Sequence, residues 1–390
     1  MLILAIISIF TVLLTIFLLN FRKVITYYDC DEPPVIENTE AKTPPVSIIV
    51  PMRNEEKNSR RCIGSLLSQN YPNYEVIAVD DWSTDSTLDI LKELASIHNN
   101  LRVIEEGNDF PKDWVGKSYA LWRGVKQAKG GWLLFVDADT ASPPYMLTSV
   151  IKYVDENKID MLSISPFQVL ETFWERVIQP VVLSHIYYAF PYRKINDPKS
   201  KIAAANGQFI LIRQSVYKAI GGHLAAKNRI VEDVALANLV KGRGYRLHFV
   251  RGKRLIKTWM YTNFGEIWEG WTKNLFFGLG RKWIRVVYSL VILLAWGVIP
   301  PILFTWSAVK VFFQGAYTLP SLLILAESTF LLVLIIYNSW RQGTKLFAIP
   351  SYYSFTVPLG IVIYIALILS SAYKVVSGMG VTWKERVYRL

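Results

Sequence analysis

The segment LLFVDADT, residues 133–140, runs four apolar residues into two aspartates that are one residue apart. An ionised carboxylate at the end of a buried strand is costly unless a partner compensates it. Mg²⁺ and Mn²⁺ take oxygen ligands and commonly complete their coordination with substrate phosphates. Asp137 and Asp139 therefore indicate a Mg²⁺ or Mn²⁺ site beside a diphosphate, with one carboxylate facing a ribose and the ion acting as Lewis acid on the leaving group.

Two further polar clusters follow apolar runs earlier in the chain, VSIIVP leading into PMRNEE and YEVIAVDD leading into WSTD. Each cluster taken alone is also compatible with a turn or a helix cap. At equivalent ends of successive parallel strands, however, such clusters converge on one cleft, where ligands bind in sheets of this kind. We interpret Pro51, Arg53, Asn54, Glu55, Asp80 and Asp81 as residues that bind a ligand in this cleft, with Asp80 or Asp81 accepting hydrogen bonds from a nucleobase or ribose.

Lys117 begins a predicted helix directly after Gly116. The amino end of a helix favours anions, so Lys117 is predicted to meet phosphate oxygens. The letters GKS resemble the end of a phosphate-binding P-loop, but position 111, where that motif requires glycine, is Pro111. The P-loop interpretation is therefore rejected.

Strand and helix patterns alternate around these clusters, in the order VSIIVP, CIGSLLSQ, YEVIAVDD, TLDILKELASI, LRVIEE, GKSYALWRGVKQA and GWLLFVDAD. Such alternation is typical of right-handed βαβ crossovers. It predicts an α/β domain with a mainly parallel, Rossmann-like sheet that is covered by helices on both faces.

The 390-residue chain is 52% hydrophobic with a mean hydropathy of +0.26, and the apolar excess is concentrated in four runs. These runs are Met1–Leu19, Val286–Val309, Leu319–Trp340 and Phe347–Tyr373, and Glu327 alone interrupts the third. About 20 helical residues cross a hydrocarbon core, so all four are predicted to span a membrane. The first lacks the basic start and cleavage site of a signal peptide. We expect an anchor at 1–20, a linker at 21–45, a catalytic domain with an interfacial C-terminal segment at 46–285, three transmembrane segments at 286–376 and a basic tail at 377–390.

The net charge of +12 lies largely beside these runs, which favours anionic lipid head groups over nucleic acid as the partner. Arg22 and Lys23 after the first run place the domain on the cytoplasmic side of the plasma membrane by the positive-inside tendency. Three further spans would put the tail VTWKERVYRL on the opposite side, although it is basic. Either one run is re-entrant, with Pro300–Pro301 as the candidate break, or the charge tendency fails here.

PMRNEE, VDDWSTD, WVGKSYAL, VDADT and VEDVALA together resemble the family 2 glycosyltransferases with a GT-A fold, over residues 46–275. Within that family, DWVGKSYALWRGV, EGWTKNL and GVTWKERVY are most similar to membrane-bound carotenoid and hopene-associated members. The resemblance implies transfer of a sugar, with inversion, from a nucleotide-diphosphate sugar (a UDP-sugar is favoured) to a membrane lipid such as a carotenoid or hopanoid. It assigns Asp80 and Asp81 to the nucleoside and Asp137 and Asp139 to the metal.

The same resemblance makes Asp233 the catalytic base and puts Glu232 and Trp271 at the rim of the acceptor site. A carboxylate at a helix start can take the proton of an attacking hydroxyl, although it can equally cap the helix. A carboxylic acid acceptor needs no such base, so Asp233 favours a hydroxylated lipid. The Q-x-x-R-W motif of processive synthases would fall on Ile267, Gly270 and Trp271, of which only the tryptophan is kept. A single transfer is therefore expected rather than chain synthesis.

Two alternatives remain open. A polyprenyl-phosphate, ceramide or glycerolipid glycosyltransferase would share the catalytic residues and differ in the acceptor groove. A non-catalytic nucleotide-sugar or lipid-binding membrane protein would need the acidic donor residues but not Asp233, whose presence favours an enzyme.

Overall fold

The protein is described here from a computed structural model that covers residues 31–37, 43–105, 111, 113–384 and 386–388. The predicted anchor at 1–20 and the first part of the linker lie outside the described residues. The domain boundaries as a whole therefore stay predictions.

One mixed sheet of eight strands organises the domain, in the order β3-β2-β1-β4-β7-β6-β8-β5. The strands are β1 (Val46–Met52), β2 (Tyr74–Asp80), β3 (Leu101–Glu105), β4 (Trp132–Val136), β5 (Thr140–Ala141), β6 (Met161–Gln168), β7 (Phe209–Arg213) and β8 (Leu247–Thr258). β1, β2, β3 and β4 pair in parallel, as do β6 and β8. The predicted mainly parallel sheet is confirmed, and β7, antiparallel to β4 and β6, is the principal departure from it.

Helices cover both faces of the sheet, which is why β1 and β4 are apolar without alternation. On one face lie α1 (Glu56–Leu67), α2 (Thr87–Ile97) and α4 (Met146–Glu156). On the other lie α3 (Gly116–Gln127), α6 (Tyr192–Asn196), α7 (Gln214–Ala219), α8 (Gly222–Ala225) and α9 (Glu232–Gly242). The helices predicted at CIGSLLSQ, TLDILKELASI and GKSYALWRGVKQA are confirmed as α1, α2 and α3.

Three helices of the described chain are long and apolar enough to cross a membrane: Trp283–Phe313, Leu319–Leu346 and Ser351–Val376. The first comprises α11 (Trp283–Leu293) and α12 (Ile299–Ala308), with one π-helical turn between them and another after α12. The second is α13 (Leu319–Leu346). The third consists of a 3₁₀ turn followed by α14 (Val357–Val376). These helices coincide with the three runs predicted in 286–376.

The helix continues through Pro300–Pro301, so the break suggested there is absent. The π turn at Leu294–Val298 precedes the prolines, which occupy the first turn of α12. In this turn the Ile299 N–H donates to the Leu294 carbonyl oxygen, and such an irregular turn is where a continuous helix accommodates residues that cannot donate a hydrogen bond.

A third apolar cluster joins the domain to the apolar helices through α5 (Phe173–Ala189) and α10 (Phe264–Gly278). α14 packs along both of them. The contact with α5 is close: a Cβ on Gly360 would lie 2.4 Å from the carbonyl oxygen of Val177. One turn further on, the Tyr364 hydroxyl lies 2.7 Å from His185 Nδ1. The packing partner of α5 is therefore the last apolar helix.

Replacing Gly360 with alanine tests this contact. The added methyl group meets backbone rather than a movable side chain, so α14 must shift away from α5. Overpacking of this kind costs about 1–3 kcal/mol, and we expect a lower melting temperature of the detergent-purified protein. Gly242→Ala is the matched control, because nothing lies within 4 Å of that helical position. Equal melting temperatures for Gly360→Ala and the wild type would contradict the packing.

Candidate functional site

A cavity of about 380 Å³ opens at the carboxyl ends of β1, β2 and β4. Its polar wall brings together charged side chains from distant parts of the sequence. The carboxylates lining it are Glu55, Asp81, Asp137, Asp139, Glu232 and Asp233, and the cations are Arg53, Lys117, Lys273 and Lys384. The apolar wall is formed by α5, α10 and Tyr364 of α14, although Lys273 of α10 belongs to the charged group. One chamber therefore joins an ionic site to an apolar surface.

Lys117 links two carboxylates at the centre of the polar wall. Its ammonium lies 2.7 Å from Asp137 Oδ1 and 3.1 Å from Glu232 Oε1, joining the start of α3 to the end of β4 and the start of α9. Burial acts to lower the pKa of Lys117, but Asp137 and Glu232 outweigh it and raise the pKa above its usual value. Lys117 is thus a fixed positive charge at this edge of the sheet.

Asp139 has a different environment from its neighbour Asp137. Its Oδ1 is buried and has no hydrogen-bond partner within the described chain, while Oδ2 lies 3.5 Å from Gln208 Nε2. Burial, with repulsion from Asp137 and Glu55, raises the pKa of Asp139 to about 7. A carboxylate in such a position is stabilised by any cation that reaches Oδ1.

This donor set fits a divalent ion in part. Within the described residues, no three His, Cys, Asp or Glu side chains form a group that could hold a metal. Asp139 offers a partnerless oxygen and Asp137 lies beside it, already paired with Lys117. Mg²⁺ is commonly bound by one or two carboxylates plus substrate phosphates and water, which is the ligand supply available here.

Asp233 faces the same cavity from the first turn of α9. Its Oδ2 accepts a hydrogen bond of 2.9 Å from the Gly207 N–H, and its Oδ1 accepts one of 2.7 Å from the Val234 N–H. A Cβ at position 207 would lie 2.9 Å from the Lys117 ammonium, so the glycine lets the Lys117 side chain lie close to the backbone here. Burial, and then repulsion from Glu232, raise the pKa of Asp233 to about 7. A carboxyl group with that pKa can accept a proton near neutral pH.

The loop after β1 supports the cavity from the other side. Arg53 donates from Nη1 to the carbonyl oxygens of Asp81 and Trp82, at 2.7 and 3.0 Å, and so ties the β1 and β2 ends together. The Asn54 side chain accepts from the Thr84 N–H at 2.8 Å. Arg53 and Asn54 therefore build the loop geometry in this structure.

The remaining predicted residues divide between the cavity and its supports. Pro51 and Asp81 line the cavity, whereas Asp80 lies beneath it, 2% exposed, with one oxygen accepting from the Ser83 N–H. Trp271 lines the apolar side and donates its indole N–H to Gln179 at 2.9 Å. Glu232, expected at the rim, lies inside the cavity as the partner of Lys117.

Gln208, Lys273 and Lys384 line the cavity although the sequence did not single them out as site residues. Gln208 is fixed by a 2.8 Å bond to Thr258 Oγ1. Burial, with repulsion from Lys117, lowers the pKa of Lys273 to about 8. Lys273 and Lys384 do lie in EGWTKNL and GVTWKERVY, two segments that carried the resemblance, and that was the available signal.

Comparison with known proteins gives consistent results. Residues 47–221 match the sequence model of the family described as Glycosyl transferase family 2. The chain is 28% identical over 250 residues to proteins named 4,4'-diaponeurosporenoate glycosyltransferase from Staphylococcus aureus strains bovine RF122 / ET3-1 and USA300. Each match covers 63% of this chain and 65% of the relative, so the chain spans a little under two thirds of the length of these curated relatives.

Among solved structures, the fold is similar to that of a mannosyltransferase from Pyrobaculum calidifontis, described as a complex with GDP-Man and Mn²⁺. The TM-score is 0.50 at 17% sequence identity, and the superposition covers 92% of this chain and 93% of that one. The fold and the family match agree with the GT-A expectation. Residues 47–221 of this chain therefore resemble the family described as Glycosyl transferase family 2 in sequence, and the chain resembles a mannosyltransferase in fold.

Proposed function

We propose that this protein transfers a single sugar from a nucleotide-diphosphate sugar to a membrane lipid, with inversion at the anomeric carbon. The observation that carries the proposal is the mixed lining of the cavity, which combines Asp139 and Asp233 with apolar side chains of α5 and α10. The lining also includes Tyr364, which belongs to one of the three helices suited to a membrane. We therefore assign a lipid acceptor to the apolar part of the cavity that also holds Asp233.

The donor is assigned to the polar wall. Asp81 is placed to accept hydrogen bonds from the nucleoside, and Lys117 supplies positive charge for a diphosphate at the start of α3. A bound Mg²⁺ or Mn²⁺, held by Asp139 with Asp137, would neutralise the leaving diphosphate as a Lewis acid. The similar mannosyltransferase is described with GDP-Man and Mn²⁺, which supports a diphosphate donor and a divalent ion without fixing the nucleotide.

Asp233 is assigned as the general base. Inversion in one step requires the acceptor oxygen to attack opposite the leaving diphosphate, and a hydroxyl acceptor must lose its proton as it attacks. The Gly207 and Val234 N–H groups hold the Asp233 carboxylate in place for this task. Glu232 is less suited to it, because the Lys117 ammonium holds the pKa of Glu232 below its usual value despite burial.

A carboxylic acid acceptor is the second candidate. It is favoured by the name of the Staphylococcus aureus relatives, which refers to a diaponeurosporenoate. Such an acceptor is ionised near neutral pH and gains little from a base. The presence of a buried, proton-accepting Asp233 in this chain supports the hydroxylated lipid instead.

Removal of divalent cations tests the donor site. We expect EDTA to abolish incorporation of radiolabelled sugar into extractable lipid and Mn²⁺ or Mg²⁺ to restore it, because Asp139 Oδ1 has no hydrogen-bond partner within the described chain and a divalent ion would compensate this oxygen together with the diphosphate. Asp139→Ala should remain inactive at any Mn²⁺ concentration. Full activity of a thoroughly chelated sample would contradict the assignment of Asp137 and Asp139 to a metal.

Asp233→Asn tests the base and the type of acceptor. The amide keeps the size of the side chain but removes its basicity, so turnover should fall about 10²–10⁴-fold with donor affinity nearly unchanged. In the wild type at saturating Mn²⁺, kcat/KM should fall as the pH drops below about 7, where Asp233 becomes protonated. The variant should lose the part of this dependence that Asp233 contributes, since the pKa of Asp139 is also about 7.

Asp89→Asn is the matched control, because Asp89 is an exposed acidic residue in the first turn of α2. If Asp233→Asn turns over like Asp89→Asn, Asp233 only stabilises a helix start and the hydroxyl acceptor is no longer supported. If Asp233→Asn loses nucleotide binding instead, the residue belongs to the donor site.

A further inference from the structure

The C-terminal segment reaches the donor side of the cavity. β9 (Val381–Trp383) and β10 (Arg386–Tyr388) form an antiparallel pair, and Lys384 follows β9 directly. The Lys384 ammonium donates to the Arg53 carbonyl oxygen at 2.6 Å and pairs with the Glu55 carboxylate. In return, Arg53 Nε donates to the Lys384 carbonyl oxygen at 3.2 Å. The contact is thus reciprocal between segments 331 residues apart in sequence.

The charge of Lys384 matters because the cavity is acidic. Six carboxylates and four cations of the described chain line it, so Lys384 supplies one of few positive charges. Glu55 is 15% exposed at its side chain and faces Lys384 at 23%. Partly buried ion pairs of this kind are screened less than surface pairs. Without Lys384, Glu55 would present an uncompensated negative charge to an incoming diphosphate.

The packing of α14 brings the C-terminal tail to the donor side of the cavity. Early in the helix, Gly360 and Tyr364 contact Val177 and His185 of α5. Near its end, Ser371 Oγ accepts from the Phe276 N–H of α10 at 3.0 Å. α12 packs on α13, so these two helices carry the chain out and back, whereas α14 stays against the domain along its length. If α14 lies against the domain in this way instead of crossing the membrane, the domain and the basic tail share one side of the membrane, as the positive-inside tendency predicts.

We propose that the C-terminal hairpin, described at residues 381–384 and 386–388, is part of the donor site and that Lys384 is a positioning residue for the nucleotide diphosphate. Lys384 holds the Arg53–Glu55 loop by its carbonyl oxygen and offsets the charge of Glu55. This inference rests on the proposed nucleotide-sugar donor, and it adds that the tail lies on the same side of the membrane as the catalytic domain.

Nucleotide binding and kinetics test the role of Lys384. Lys384→Met should raise the KM for the donor and the Kd for UDP or GDP with Mn²⁺ by about 10- to 100-fold, the range of one charge-assisted hydrogen bond. The acceptor KM should change little, and Lys384→Arg should restore most of the donor affinity. Lys257→Met, at an exposed lysine of β8, is the matched control.

A double substitution identifies the mechanism. If Lys384 acts by neutralising Glu55, Lys384→Met should cost less donor affinity in a Glu55→Gln background than in the wild type. If Lys384→Met has the same donor KM and nucleotide Kd as the wild type, the inference is overturned. Wild-type protein that binds no nucleotide would instead overturn the proposed function itself.

The side of the membrane on which the tail lies is tested by cysteine labelling. This test does not depend on activity or on whether Lys384→Met affects folding. Single cysteines are placed at Ser96 in the domain, Gln314 between the first two apolar helices and Ser377 at the end of α14, all exposed, in a Cys30→Ser, Cys62→Ser background. A membrane-impermeant maleimide applied to intact cells should label Ser377→Cys to the same extent as Ser96→Cys. Its labelling of Gln314→Cys should differ from both. Labelling of Ser377→Cys together with Gln314→Cys would place the tail across the membrane and overturn the inference.

Discussion

The site depends on the ion cluster centred on Lys117. Three elements meet there: β4 contributes Asp137, α3 contributes the lysine and α9 contributes Glu232. Two carboxylates this close to each other in a desolvated place repel one another and lose their hydration, which costs several kcal/mol per ion unless a cation compensates them. Lys117 therefore holds the carboxyl end of β4 against the start of α9, and the separation of the other site groups follows from that contact.

Lys117 pairs with Asp137 and Glu232, and two of the four other carboxylates of the polar wall, Asp139 and Asp233, have raised pKa values. Burial raises the pKa of Asp139 and of Asp233 to about 7, yet their surroundings differ. Asp139 keeps a buried oxygen without a partner, which suits a metal ion, whereas Asp233 is oriented by two backbone N–H groups, which suits a proton acceptor. Pairs of titratable groups whose environments differ in this way commonly divide the chemistry between them.

The sequence predicts those elements of the structure that local residue patterns define. Apolar runs of five to seven residues and helical spacing between them identify β1 to β4 and α1 to α3, and the acidic residues mark the ends of the strands. The antiparallel strand β7 follows from pairing with β4 and β6, which no local pattern records. The position of Lys384 in the site is harder to predict than β7, because its contact with Arg53 depends on how the last apolar helix packs and not on a motif around Lys384.

That packing also connects the two halves of the proposed reaction. Tyr364 of α14 forms part of the apolar wall, where a lipid acceptor would enter, and Lys384 follows the same helix into the donor side. α14 is fixed to α5 by the His185–Tyr364 contact and to α10 by Ser371, two helices that also line the cavity. α14 is thus one covalent element that contributes to the proposed acceptor wall and leads into the proposed donor side of the same cavity.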